Sequence, residues 1–123
     1  MKEYAFPRHR RILHRGVFLR ANRIGKRIVT RHLVFIICPN ESGCSRLGLI
    51  VSRKVGNAVV RNRVKRVIRE VFRLNKPLDK RNIDIIVIPR PALKYPANFD
   101  SVKADFDIMV SRVPKDFAVK EAD

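Results

Sequence analysis

Acidic side chains are what this sequence holds least of. Eleven Asp and Glu stand against 28 Lys and Arg, leaving a formal charge of +17. The scarcity argues against a protein nuclease in its own right, which would need carboxylates beside its basic surface, and Glu70 is the one acid of the most basic stretch. Long apolar runs are also missing. None approaches the roughly 18–20 residues of a spanning helix, and no charged segment followed by an apolar one opens the chain, so the expected location is the cytoplasm. Cysteine is limited to Cys38 and Cys44, which flank Pro39-Asn40-Glu41-Ser42-Gly43. That segment reads as a hairpin loop that would let the two thiols approach across paired strands, yet in a cytosolic chain two reduced thiols are expected. Two cysteines without a nearby histidine make no zinc site. His9, His14 and His32 lie among arginines without Ser, Asp or Glu at a readable spacing, so no catalytic residue and no metal ligand is assigned to the protein.

What remains is positive charge on a normal apolar frame. The 123 residues are 46% hydrophobic, enough for one domain with one core. Residues 1–7 and 114–123 read as loose tails. An excess of charge this large exceeds what solubility requires and points to a polyanion. Residues 1–98 hold 24 basic and 5 acidic residues, a net +19, whereas residues 99–123 hold 4 and 6, a net −2. The binding surface therefore belongs to the first part of the chain.

The densest stretch is Ser52 to Arg73, with eight Lys or Arg against Glu70. At about 100° per residue, Val60, Val64, Val67, Ile68 and Val71 share one apolar stripe with Phe72 at its edge. Asn62, Lys65, Arg66, Arg69 and Arg73 take the opposite face, with Arg61 and Arg63 on the flanks. Gly56 lets the chain turn in, Asn57 caps the helix, and Lys54 and Asn57 stand where a backbone phosphate is attracted to the helix N-terminus. An ordinary solvated face is the plainer reading. A helix built for solubility, however, mixes in Glu at i,i+4, and a face of one sign repels itself until an anion neutralises it. Nucleic acid explains the pattern better.

The other elements follow in order. A short basic helix is expected from about Arg8 to Asn22, within a run, residues 8–31, of nine Lys or Arg and no acid. Ile28 to Cys38 reads as a strand broken near Thr30, and Ser45 to Arg53 as the strand returning after the hairpin loop. Ile83 to Pro89 is an almost continuous apolar strand of the buried type. Strand, basic helix and buried strand in that order suggest a βαβ unit with parallel strands. Asp100 is the expected cap of a last helix to about Arg112, with Val102, Phe106, Met109, Val110 and Val113 facing the core.

The run Val55-Gly56-Asn57-Ala58-Val59-Val60-Arg61-Asn62-Arg63-Val64-Lys65-Arg66-Val67-Ile68-Arg69-Glu70 resembles the signature helix of the protein subunit of bacterial ribonuclease P. The strand RLGLIVSRK before it and DIIVIPRP after it are similar to that family in order and spacing. The resemblance implies one α+β domain of order αβββαβα, like the second domain of ribosomal protein S5, with a left-handed crossover through the basic helix. Composition alone would suggest the right-handed form. It further implies a part in removing the 5′ leader from precursor tRNA, with catalysis by an RNA subunit that binds Mg²⁺.

Two RNA surfaces are implied. Arg53, Lys54, Asn57, Arg61, Asn62, Arg63, Lys65, Arg66 and Arg69 would face the catalytic RNA. A cleft between the first helix and the sheet, with Arg11, Phe18, Asn22, and Phe35 or Ile36, would hold the single-stranded leader of precursor tRNA. Phe18 is either the aromatic floor of that cleft or a plain core residue. Asn22 stands where the family often carries a second aromatic, which implies weaker or displaced stacking. The alternative from charge and fold alone is a non-enzymatic RNA-binding protein, ribosomal or chaperone-like.

Overall fold

The computed structural model describes residues 10–12, 15–78, 81–91 and 98–114. In chain order the elements are α1 (Arg15–Ile24), β1 (Lys26–Val29), β2 (Leu33–Pro39), β3 (Arg46–Leu49), α2 (Ala58–Leu74), β4 (Ile83–Pro89) and α3 (Phe99–Arg112). The expected order αβββαβα holds. The expected loose tails lie outside the described residues, apart from Pro114, whose carbonyl accepts a hydrogen bond from Arg81 at 2.7 Å.

One four-stranded sheet runs in the order β1-β2-β4-β3. β4 pairs antiparallel with β2 and parallel with β3, as a βαβ unit through α2 requires. The apolar run of β4 thus becomes a central strand. This overturns the expected hairpin between β2 and β3: β4 lies between them, so Cys38 and Cys44 do not face each other across paired strands, and both are free thiols. The turn after β2 is shaped by Asn40, whose side-chain amide donates to the Cys44 carbonyl at 3.1 Å and to Asp84 Oδ1 at 2.7 Å. The strand expected over Ile28 to Cys38 is in fact two strands. β1 and β2 pair antiparallel about Thr30-Arg31-His32, with Ile28 opposite Phe35.

Alternation along the strands sorts the core onto two faces. Leu33, Phe35, Ile37, Ile85 and Val87 point one way and meet Val64, Ile68, Val71 and Phe72 of α2 and Val102, Phe106 and Met109 of α3. Phe35 and Phe106 meet edge to face at 5.1 Å, a favoured aromatic geometry. Ile36, Cys38 and Ile86 point the other way and are covered by Ala21, Val17 and Phe18 of α1 and by Ile12.

Two expected boundaries move. The first helix begins at Arg15, and Arg10–Ile12 runs extended beside β3, where Ile12 N–H donates to the Leu47 carbonyl at 2.9 Å. Burying Ile12 and satisfying the β3 edge outweighs one more helical turn. The last helix is capped by Asn98, not Asp100: the Asn98 oxygen accepts from the N–H groups of Asp100 and Ser101.

Candidate nucleic-acid interface

α2 starts where its sequence says it should. Asn57 Oδ1 accepts the Val60 N–H at 3.0 Å, satisfying one free donor of the first turn. Gly56 is required just before it, because a Cβ there would lie 2.8 Å from the Val60 Cβ. The helix then buries Val64, Ile68, Val71 and Phe72 and leaves its charged side outward. Asn62, Arg63 and Arg66 are exposed, while Arg61, Lys65 and Arg69 form a half-buried row at i,i+4 spacing along one flank. Arg53 and Lys54 stand exposed on a single 3₁₀ turn before the helix. The nine expected residues thus lie on one continuous segment, though Asn57 spends its oxygen on the cap and keeps only its amide hydrogens for a ligand.

The one acid of the helix does not neutralise this surface. Glu70 is held by Arg73, with Oε2 at 2.6 Å from a guanidinium nitrogen. Nε of Arg61 is buried without a hydrogen-bond partner, which costs about 1–3 kcal/mol in a free protein. Burial, and after it the charge of Arg11, holds Arg69 below the ordinary guanidinium value. This concentration of cations suits phosphate far better than water.

The second surface lies on the α1 side of the sheet. Phe18 is half-buried and its ring rests on Gly48: a Cβ at Gly48 would sit 2.9 Å from Phe18 Cζ. Ile36 is on this side but only 5% exposed, beneath α1. Phe35 is not in the cleft at all. Strand parity turns it to the α2–α3 face, where it is fully buried. Asn22 is exposed on α1, and Arg11 is exposed at the edge of β3 near Arg69, between the two surfaces and not inside the cleft. Sequence reasoning missed Gly48, Ile12, Ile86 and Ile88 as companions of Phe18, which period-2 alternation in β3 and β4 singles out once the strand order is known.

Asp84, a candidate for ordering a metal, is engaged instead. Its two oxygens take Nε and a terminal nitrogen of Arg46, each at 2.7 Å, and it is 1% exposed. Among the described residues no group of three or more His, Cys, Asp or Glu side chains is placed to hold a metal ion. His32 Nδ1 lies 3.2 Å from Asp105 Oδ2, tying the β1–β2 turn to α3. It stands on the face away from α1. Among the described residues no helix is long and apolar enough to cross a membrane.

A sequence model of the family described as ribonuclease P matches residues 6–114. The chain belongs to the ribonuclease P protein family. It is 41% identical over 101 residues to the ribonuclease P protein component of Desulforapulum autotrophicum, covering 82% of this chain and 84% of that one. The component from Syntrophus aciditrophicus is 41% identical over 98 residues, covering 77% and 82%. Among solved structures, the ribonuclease P protein of Thermotoga maritima superposes with a TM-score of 0.76 at 34% identity, covering 85% of this chain and 97% of that one. The Staphylococcus aureus protein gives 0.71 at 34% identity, covering 85% and 96%. The sequence resemblance and the fold therefore agree, and the chain is a protein component of a tRNA-processing endoribonuclease that works with an RNA subunit.

Proposed function

We propose that this protein docks the RNA subunit of ribonuclease P through the α2 surface and holds the single-stranded leader of precursor tRNA in the cleft beneath α1. The carrying observation is the acid-free row on α2, whose one glutamate is taken by Arg73. A structured RNA is recognised through its phosphates by a rigid array of cations. A leader of varying sequence is held by a basic groove with a stacking ring, each stack contributing about 1–3 kcal/mol. Phe18 on its glycine seat supplies that ring, and Arg11 extends the groove. Bond cleavage belongs to the RNA, with Mg²⁺ held mainly by RNA phosphates; the protein's carboxylates in this region are spent on Arg46 and Arg73. The expected location is the cytoplasm, where precursor tRNA is made.

Replacing Arg61, Arg63 and Arg66 together by Ala tests the docking face. Affinity for a bacterial ribonuclease P RNA should fall, and the slope of log affinity against log salt should shrink by about 2–3, close to one per lost phosphate contact. Unchanged affinity and slope, with the far-ultraviolet circular dichroism of a folded protein, would place the RNA on another face. For the cleft, single-turnover cleavage at low Mg²⁺ should benefit from the protein most when the leader is long, and little when it is trimmed to one nucleotide.

A further inference from the structure

We propose that Arg10–Ile12 is a strap that couples the two RNA surfaces: a phosphate seated between Arg11 and Arg69 fixes the strap, and the strap fixes the leader floor at Phe18. This rests on the reading of α2 and of the cleft just given. Three consecutive residues make three different attachments. The Arg10 guanidinium lies 4.6 Å from the centroid of the Phe72 ring, and its Nε donates to the Ser45 carbonyl at 3.0 Å. Arg11 bridges to Leu47 at the β3 edge. Phe72 is one helical turn from Arg69, so Arg10 seated on Phe72 brings Arg11 to the Arg69 flank, where its charge acts on that guanidinium. Ile12 is 6% exposed and shares with Phe18 the space over Gly48, its Cβ 3.3 Å from where a Cβ at Gly48 would be.

In an extended segment successive side chains point to opposite sides, so Arg11 against α2 and Ile12 over Gly48 are two ends of one placement. The strap joins β3 through a single bridge, not a ladder, and such edges open at low cost. In the free protein Arg11 and Arg69 repel each other. A phosphodiester between them replaces repulsion with two charge-assisted contacts and favours the seated strap. Ile12 is then pressed beside Phe18 and narrows the ring's freedom. By linkage, leader binding favours the phosphate by the same factor. Arg11 and Ile12 are positioning residues here: they act on the leader through Phe18.

The test compares wild type, Arg11→Gln and Lys65→Gln, the last removing a charge from the same flank without touching the strap. With enough protein to assemble every holoenzyme, the leader benefit is the ratio of affinities for precursor tRNA with a full leader and with one trimmed to a single nucleotide. Arg11→Gln should lower that ratio about fivefold or more, the low end of ordinary coupling between sites, while Lys65→Gln leaves it near wild type. An unchanged ratio in Arg11→Gln, or an equal fall in both variants, overturns the strap. Hydrogen exchange gives a readout independent of the leader. Adding inorganic phosphate should slow exchange of the Ile12 amide in wild type more than in Arg11→Gln, and equal slowing overturns the strap. If wild type shows no leader benefit, the reading of the cleft fails, and the exchange comparison still decides the strap.

Discussion

Replacing Gly48 by Ala separates a leader floor from a core aromatic. An added Cβ would lie 2.9 Å from Phe18 Cζ, 3.0 Å from Cε1 and 3.3 Å from the Ile12 Cβ, so something must move. The far end of the half-buried Phe18 ring moves most easily, since β3 is held in register by β4. Overpacking of this kind costs about 1–3 kcal/mol, partly offset by the roughly 0.5–1 kcal/mol regained when a strand glycine becomes alanine. Net destabilisation should therefore stay below about 2.5 kcal/mol, and the protein should fold. If Phe18 stacks a leader base, tilting it forfeits up to about 1–3 kcal/mol of leader binding, or roughly 5–150-fold in affinity. Urea denaturation gives the first quantity. The affinity ratio for full and trimmed leaders in the assembled holoenzyme gives the second. A variant that loses stability as expected yet keeps the full leader benefit would refute the stacking role and return Phe18 to the core.

Phe35→Ala should do the reverse, costing about 3–5 kcal/mol of stability through the cavity left beside Phe106, with an unaltered leader benefit in whatever fraction remains folded. Asp84→Ala leaves Arg46 without its partner and should lower the urea midpoint by the equivalent of about 3 kcal/mol, whereas a change confined to Mg²⁺ dependence would show that the carboxylate serves a metal. Burial, opposed in part by Arg20, pushes the Cys38 thiol above its ordinary value. Less of it is thiolate at any pH below that raised value, so iodoacetamide at pH 8 should label the half-buried Cys44 first. Mass spectrometry showing Cys38 labelled as fast as Cys44 would count against that burial.

How much of this was legible depended on whether one segment or two decided the question. α2 was readable in full because its 3.6-residue period, its Asn57 cap and its basic face all lie within one continuous stretch. β4 was recognisable from its apolar run, and parallel pairing followed from the order strand, helix, strand. Its insertion between β2 and β3 was not, because a short loop such as 39–43 suggests a hairpin unless one knows that Asn40 reaches Asp84. The choice between Phe35 and Ile36 turned on the same point. Both are apolar neighbours on one strand, and only the pairing with β4 says which faces α1. Arg10 and Ile12 were hidden inside what reads as a helix, since a lone basic segment carries no mark of the sheet edge that claims it.

The position of β4 also bears on how the molecule is made. Sheet neighbours that come late in the chain must wait for it: β2 and β3 share no hydrogen-bond ladder, and each finds its main partner only when residues 83–89 are available. A chain emerging from the ribosome presents the whole basic helix before the strand that closes the sheet beneath it. Contacts this distant in sequence slow folding, because loop closure comes before the reward. During that interval the newly made protein is a cationic helix with two open strand edges, surrounded by RNA.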